Sequence, residues 1–293
     1  MVAVLTREAV PLSRELPVTD NHMHLDPGKG EGMEAVKKFA GEGGKTIFVV
    51  SKLTRDLGLS GVNVDNFSKL YRATIELAKQ AEEHGVTAFA VLGVHPAEYH
   101  HMIESAGMER AKEVAEKALE LAAEHIAENE AVAIGEVGRP HYPVERDVLN
   151  ACEELMVRAF ELARELNCAV QLHTERIDSE GLKDIAELAD SAGLRRERVV
   201  KHFCPPLIEK GSELGIMPSL IASRKNVLAA LEQGDRFLME SDYIDDLSRP
   251  GAVLSPRSVP RLTRRLLAEG RLTEEQVWRI HADNVERTYG VLL

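Results

Sequence analysis

Cysteine is scarce in this chain of 293 residues. The three cysteines form no CxxC pair and cannot build an even disulfide framework, so we expect them to stay reduced. A composition of this kind favours a cytoplasmic protein over a disulfide-stabilised secreted one. The three residues are Cys152, Cys168 and Cys204.

Long apolar segments are lacking as well. No run approaches the length that a helix needs to cross a bilayer. The first twenty residues contain charged side chains where a signal peptide would carry an uninterrupted apolar core. We therefore expect neither a membrane span nor a signal peptide. The charged residues that support this are Arg7, Glu8, Arg14 and Glu15.

Positive charge is in deficit, because 36 lysines and arginines stand against 48 acidic residues and give a net charge of −12. This balance argues against the electrostatic footprint of a protein that binds extended nucleic acid or an anionic membrane. It does not exclude a small cleft whose positive charge comes from metal ions. The expected partner is a small-molecule substrate, with DNA disfavoured.

Phosphate-binding motifs are also missing, since no GxGxxG turn follows the first predicted strand and no P-loop is present. Their absence weighs against a doubly wound open sheet, which is the main alternative fold. No linker rich in proline, glycine or serine divides the chain. We therefore expect one domain over residues 1–293.

What the chain does have is a regular alternation of short apolar runs with amphipathic segments. The runs are nearly continuous, as expected for parallel strands buried on both faces, and the segments between them carry charge at helical spacing. Eight strands alternating with helices predict an α/β fold, the (β/α)₈ TIM barrel. The predicted strands are 18–24, 46–52, 87–94, 131–135, 169–173, 198–203, 214–219 and 237–241. The clearest predicted helices are 66–83, 109–128, 146–166 and 224–233.

The first predicted strand runs into Asp20-Asn-His-Met-His-Leu-Asp26, with an acid or an imidazole at every second position. Alternate residues of a strand share a face, so Asp20, His22, His24 and Asp26 would point the same way. A single H-x-H pair can bind a metal ion or can consist of structural histidines. The ends of the other strands therefore decide between these two interpretations.

Histidine or an acid closes nearly every predicted strand. In a (β/α)₈ barrel, function collects at the C-terminal ends of the strands. Independent structural accidents would not be expected to place such residues on one rim in succession. Besides His22 and His24, the strand ends carry His95, Glu136, His173, His202 and Asp242.

Taken in order, these residues resemble the motifs of the TatD-like branch of the amidohydrolase superfamily, which are metal-dependent hydrolases built on this barrel. The resemblance covers the whole chain. The run from Asp20 to Asp26 is similar to the family's first-strand motif, and Gly135-Glu-Val-Gly138 is similar to its fourth. The remaining matches are Gly93-Val-His-Pro96, Gln171-Leu-His173, His202, Glu240-Ser-Asp242 and Asn284-Val-Glu-Arg287.

The resemblance implies two divalent metal ions per chain. One would lie between His22, His24 and Asp242, and the other between His173 and His202, with Glu136 bridging the pair. Four imidazoles and two carboxylates form a mixed nitrogen and oxygen set that suits zinc, manganese, iron or cobalt. Such a centre would activate a water held between the metals.

Three acidic or imidazole side chains have expected roles other than metal binding. Asp242 is the expected catalytic residue, because a carboxylate hydrogen-bonded to the attacking water can take its proton. Asp20 is a candidate acceptor of a hydrogen bond from a ligand imidazole. His95 would contact the substrate, or alternatively cap a loop.

Other residues near the rim leave alternatives open. Glu136 could pair with Arg139 instead of bridging metals, and Lys201 or Arg139 could bind an anionic substrate. Cys204 is expected to be a small buried hydrophobic residue. A solvated role is expected for five histidines in loops or helices, namely His100, His101, His125, His141 and His281.

The segments that follow three of the ligands depart from the family pattern. An apolar residue and an aspartate are replaced by Arg139-Pro-His-Tyr142, and an arginine two residues after His173 is replaced by Glu175. Residues 243–250 replace an aromatic-proline context. The reaction class is therefore expected to be retained, while nuclease activity is not favoured.

The leading hypothesis is a binuclear metal-dependent hydrolase that cleaves phosphoester or other ester bonds. The alternative enzyme would hydrolyse a small amide, lactone or cyclic imide. A non-enzymatic alternative is a metal-binding interaction protein on a hydrolase barrel. Retention of Asp242 argues against it, because a structural zinc site needs no spare acid beside an open water position.

Overall fold

Parallel strands follow one another around a barrel in the computed structural model, which describes residues 15–249 and 253–293. The order is β8-β7-β6-β5-β4-β3-β2-β1-β9, and all pairs are parallel. The Asp242 N–H donates to the His22 carbonyl at 3.0 Å and joins the last strands to the first. The predicted TIM barrel is confirmed. The strands are β1 (Val18–His24), β2 (Gly44–Val50), β3 (Thr87–Leu92), β4 (Ala133–Gly138), β5 (Ala169–His173), β6 (Val199–Lys201), β7 (Met217–Ile221), β8 (Leu238–Glu240) and β9 (Tyr243–Ile244).

Helices cover the outer face of the strands, and their apolar sides pack on it. In the described ranges no helix has the length and apolar character to cross a bilayer. The helices are α1 (Met33–Gly41), α2 (Val64–Glu82), α3 (Pro96–Ala106), α4 (Met108–Ala127), α5 (Arg146–Leu166), α6 (Ser179–Ser191), α7 (Ile208–Leu214), α8 (Arg224–Leu231), α9 (Ser258–Ala268), α10 (Glu274–Trp278) and α11 (Asn284–Tyr289). Shorter turns are the 3₁₀ segments Thr54–Leu57 and Arg196–Arg198 and the π-helical segment Arg279–Asp283.

Several predicted boundaries match the structure, including the strands 18–24 and 169–173 and the helix 146–166. Asn167 ends that helix in the left-handed conformation, with φ of 52°, which asparagine tolerates. The prediction of a strand over 214–219 is wrong at its start, because Leu214 ends α7. The short strand β9 was not predicted. Arg7, Glu8 and Arg14, on which the signal-peptide prediction partly rests, lie outside the described residues.

The barrel interior changes character from its closed end to its rim. The deepest layer is apolar, the next is polar, and the imidazoles and acids of the rim come last. In β5 this order is Ala169, Gln171 and His173, at every second position as the pleat requires. The apolar layer is closed by side chains of α11. Its members are Phe48, Val50, Val91, Ala133, Ala169, Val200, Met217, Leu238, Val285 and Tyr289.

Two strands break this alternation where it affects the rim. The pairing of β4 with β5 shifts register between Gly135 and Val137. Without that shift, alternation from the inward-facing Ala133 would turn Glu136 outward. The pairing of β1 with β2 shifts between Asp20 and Met23, and the side chains of both Asn21 and His22 make contacts inside the barrel.

His281 is fully buried, so the solvated role predicted for it is wrong. Its Nδ1 accepts from the Thr19 N–H at 3.1 Å, and its Nε2 lies 3.0 Å from the Thr263 hydroxyl. These contacts tie the start of β1 to α9 and to the π-helical segment. Burial lowers the pKa of His281 to about 4, so the neutral imidazole is the form that the fold accepts.

Acidification should destabilise the protein through His281. The imidazole titrates near pH 6.5 when unfolded and near pH 4 in the fold, so only the unfolded chain gains the proton between these values. The free energy of unfolding should therefore fall as the pH drops through this window, by about 2–3 kcal/mol from this group. Urea unfolding of wild type and His281→Gln near pH 7 and near pH 4.5 measures the difference. Parallel losses in the two proteins would contradict this assignment.

Candidate metal centre

All six predicted metal ligands meet at the rim of the barrel, around the carboxylate of Glu136. Its Oε2 lies 3.5 Å from His22 Nε2 and 3.5 Å from His24 Nε2. The two imidazoles come from β1 and approach each other to 3.2 Å between their Nε2 atoms. One oxygen of the carboxylate thus contacts side chains of β1.

The other oxygen of Glu136 faces the opposite side of the rim. Its Oε1 lies 2.9 Å from His173 Nδ1, 3.6 Å from His202 Nε2 and 3.9 Å from His95 Nε2. Potential ligand atoms of His95, Glu136 and His173 lie within 4.8 Å of one another, as do those of His22, Glu136 and His202. His173 and His202 thus face the same oxygen of Glu136, and the Glu136 carboxylate is common to both groups.

Asp242 stands over the centre at the end of β8. Its Oδ1 lies 3.9 Å from His22 Nε2 and 4.0 Å from His202 Nε2, and it forms a third group with His22 and His24. Burial, together with the nearby Glu136, raises the pKa of Asp242 to about 8. The residue adopts φ of 49°, a strained conformation for aspartate that recurs at functional sites.

The tautomers of His22 and His24 follow from their outer partners. His22 Nδ1 donates to Gln171 Oε1 at 2.9 Å, and His24 Nδ1 donates to the Val50 carbonyl at 3.0 Å. When both rings are neutral, each Nε2 therefore carries a lone pair, and the two lone pairs face one another. This arrangement is repulsive unless a proton lies between the two nitrogens or a metal ion lies beside both.

Charge supports the same fit. Glu136 is buried, and among the described residues histidines are the basic side chains that lie within ion-pair distance of it. Burial lowers the pKa of His24 to about 3. For His22, burial also acts to lower the pKa, but the carboxylates of Glu136, Asp242 and Glu240 together outweigh it and raise the pKa to about 9. Buried carboxylates need positive charge nearby, and a proton on one imidazole neutralises only part of it. The donor set therefore fits divalent transition metals.

Asp20 has a different role from the one predicted. Its Oδ1 accepts hydrogen bonds from the backbone N–H groups of His22 at 3.3 Å and Ser241 at 2.9 Å. It receives none from a ligand imidazole, because other groups already occupy those ring nitrogens. Asp20 instead ties β1 to the end of β8. Asp26 was expected to share the face of His22 and His24. Its carboxylate instead binds the Lys52 ammonium at 2.7 Å.

His95 has the capping role, which is one of the two alternatives that the sequence left open. Its Nδ1 accepts from the Ala97 N–H at 3.0 Å and caps α3. That hydrogen bond leaves Nε2 directed at the Glu136 carboxylate. His95 is thus fixed by helix capping and still presents a nitrogen to the centre.

His141 is a site residue that the sequence analysis missed. It is exposed, as expected, but its Nδ1 lies 2.9 Å from His173 Nε2. His173 therefore touches Glu136 with one ring nitrogen and His141 with the other. The signal was present in Arg139-Pro-His-Tyr142, where the chain departs from the TatD-like pattern that it resembles. His125 is buried against Glu130, so the solvated role predicted for it is wrong.

Lys201 and Arg139 are not available at the rim. Lys201 is 1% exposed and donates to the His202 carbonyl beside it. Arg139 is buried and pairs with Glu153 at 3.0 Å, so the alternative pair with Glu136 is not formed. Both predictions of an anion contact are wrong for this reason. Cys204 is buried, as expected.

Glycines let the strands that carry the centre approach closely. A Cβ on Gly93 would lie 2.7 Å from the Gly135 carbonyl carbon and 2.8 Å from the Glu136 oxygen. Both contacts are to backbone, which cannot rotate away. Gly93, from the motif that contains His95, thus fixes how near the Glu136 backbone lies to the end of β3.

Gly93→Ala should displace the Glu136 backbone and destabilise the fold by about 1–3 kcal/mol, as overpacking does. The matched control is Gly41→Ala at the end of α1, where an added Cβ meets no atom within 4 Å. This control should be neutral or slightly stabilising, because alanine favours a helix over glycine. Urea unfolding compares the two variants, and equal stabilities would show that the close approach is unimportant.

Comparisons with known proteins identify the family of this chain. The family model described as TatD related DNase matches residues 19–290. An uncharacterised protein of Methanocaldococcus jannaschii is 43% identical over 278 residues, which cover 94% of this chain and 96% of that protein.

Solved structures share the fold. YjjV, a TatD homologue from Escherichia coli, superposes with a TM-score of 0.64 at 18% identity and covers 95% of this chain and 100% of its own. A mutant of a phosphotriesterase-like lactonase from Deinococcus radiodurans gives a TM-score of 0.63 at 16% identity, covering 96% and 98%. The predicted resemblance is confirmed, and with the family model spanning nearly all of its length this chain belongs to the TatD-related DNase family of metal-dependent hydrolases.

Proposed function

We propose that the protein binds two divalent transition metals and hydrolyses a small phosphodiester or another ester. The observation that carries this proposal is the Glu136 carboxylate, whose two oxygens face separate sets of imidazole nitrogens. A carboxylate placed in this way can bridge two cations without chemical modification. Zinc, manganese, iron and cobalt all suit the donor set.

The first metal would be held by His22, His24 and Asp242, and the second by His173 and His202. When bound, the metals supply Lewis-acid polarisation of the scissile group and acidify water for attack. His95 Nε2 faces the second position and is suited to contact the substrate there.

Asp242 is the proposed proton acceptor. Its backbone N–H is held by the His22 carbonyl at 3.0 Å, and its carboxylate is partly exposed above the imidazoles. From this place it can take the proton of the attacking water and return it to the leaving oxygen. A metal-binding protein without catalysis would have no use for a strained acid at an open position.

The rim favours a small substrate over a long polyanion. The net charge is −12, and Lys201 and Arg139, which lie close to the ligands in sequence, are buried in other contacts. Phe203, next to His202, is 52% exposed, and its ring lies 5.9 Å from the His202 ring. An apolar ring at this position suits a substrate with an apolar or aromatic group.

A lactone is the second candidate substrate. The observation that favours it is the similarity of the fold to the lactonase from Deinococcus radiodurans. The same metal chemistry would act on the ring carbonyl. A small amide or cyclic imide belongs to the same alternative.

Asp242→Asn should reduce kcat by about 10²–10⁴-fold, because the amide cannot accept a proton from water. The fold and at least one metal should be retained, since an amide oxygen still coordinates weakly. Elemental analysis should find two metals per wild-type chain. Circular dichroism of both proteins checks the fold, and turnover of a chromogenic ester by both proteins gives kcat. A variant with both metals and near-normal kcat would show that Asp242 is not the proton acceptor.

Metal-loaded enzyme should cleave small phosphodiesters or esters in preference to duplex DNA. The test compares a chromogenic phosphodiester, a carboxyl ester, a lactone and single- and double-stranded DNA, with added Mn²⁺ or Zn²⁺ and with chelator as the control. Efficient DNA degradation with negligible activity on the small substrates would contradict the preference. Turnover of the lactone alone would select the second candidate.

A further inference from the structure

A chain of buried hydrogen bonds crosses the barrel interior beneath the candidate metal centre. It begins at His22, whose Nδ1 donates to Gln171 Oε1 at 2.9 Å. Gln171 Nε2 donates to the Tyr289 hydroxyl at 2.6 Å, and this hydroxyl donates to Asn21 Oδ1 at 2.7 Å. Three elements, β1, β5 and α11, are linked by this first half.

The second half returns to the opposite side of the centre. Asn21 Nδ2 donates to the Ser219 hydroxyl at 3.0 Å, which in turn donates to Glu240 Oε2. Glu240 Oε1 accepts from the Phe203 N–H at 2.7 Å and lies 2.9 Å from His202 Nδ1. The His202 ring is not turned to align an N–H with that oxygen, so this last link is a close contact. The chain thus runs from His22 to His202.

The direction of each hydrogen bond is fixed by its neighbours. Gln171 presents its oxygen to His22 and therefore its amide nitrogen to Tyr289, which leaves the hydroxyl proton for Asn21. Asn21 then has its amide nitrogen free for Ser219. Every member between the two histidines is buried, so water cannot replace a lost partner. Gln171 Nε2 also donates to the Asn21 carbonyl at 3.0 Å, so the two sides of the Tyr289 link are in direct contact as well.

Tyr289 is the central link, and it comes from outside the barrel strands. It ends α11 and packs its ring 4.2 Å from the Phe48 ring. Its hydroxyl lies between β1 and β5, where it contacts Asn21 and Gln171. The C-terminal helix that closes the apolar layer therefore also holds the middle of the polar chain.

We propose that this chain, with Tyr289 as its middle link, positions His22 and His202 together and couples the binding of the two metals. The inference rests on the proposed binuclear function. Tyr289, Asn21 and Ser219 are positioning residues, since they act through the histidines and not on the substrate. Binding of one metal would order one end of the chain and so favour binding at the other end.

The test measures metal binding to the chelator-treated full chain by isothermal titration with Mn²⁺. Wild type should bind two ions with positive cooperativity. Tyr289→Phe removes one hydroxyl and Ser219→Ala another, on opposite sides of Asn21. Each should weaken metal binding by about 10–100-fold and abolish cooperativity. Tyr71→Phe is the matched control, because that buried hydroxyl has no hydrogen-bond partner in the described structure and should leave binding unchanged.

The double variant distinguishes a continuous chain from two separate packing effects. Once the chain is broken at one link, a second break should add no more than about a twofold loss, whereas independent effects would multiply. Multiplicative losses, or a Tyr289→Phe variant that binds like Tyr71→Phe, would overturn the inference. Wild-type protein that binds no divalent ion would instead remove the proposed function itself.

Discussion

The placement of one buried carboxylate, Glu136, between two sets of imidazoles is the interaction on which the rest of the rim depends. Each oxygen has nitrogen neighbours on its own side, and among the described residues no lysine or arginine pairs with it. Neutral imidazoles leave the negative charge of the Glu136 carboxylate uncompensated, and cations beside both oxygens would compensate it. The arrangement therefore favours metal binding on electrostatic grounds, in agreement with the metal dependence of the family.

Irregularity in two strands makes this placement attainable. A register shift in β4 turns Glu136 inward, and glycines at 93 and 135 allow the neighbouring backbones to approach. A shift in β1 lets His22 reach the rim while Asn21 enters the polar layer below. These shifts cost regular pairing, and the buried hydrogen bonds beneath the rim offset that cost.

The sequence was sufficient for the barrel and for the residues that close its strands, because apolar runs and rim residues recur at local spacings. It was not sufficient for contacts between distant segments. Gln171 and Tyr289 meet only in the folded barrel. The sequence around Tyr289 does not indicate that its hydroxyl forms buried hydrogen bonds. The inward turn of Glu136 depends on a register shift. Regular strand alternation alone would place the Glu136 side chain on the outer face. His281 was misjudged for the same reason, since its partners lie far away in the chain.

A crystal of the protein soaked with Mn²⁺ and measured for anomalous scattering tests the central claim most directly. Two peaks should flank the Glu136 carboxylate, one beside His22 and His24 and the other beside His173 and His202. The cluster of His125, Glu128 and Glu130 serves as an internal control, because acidic groups near the surface are common without a bound metal. A single peak at the rim, or peaks only at that cluster, would contradict the account.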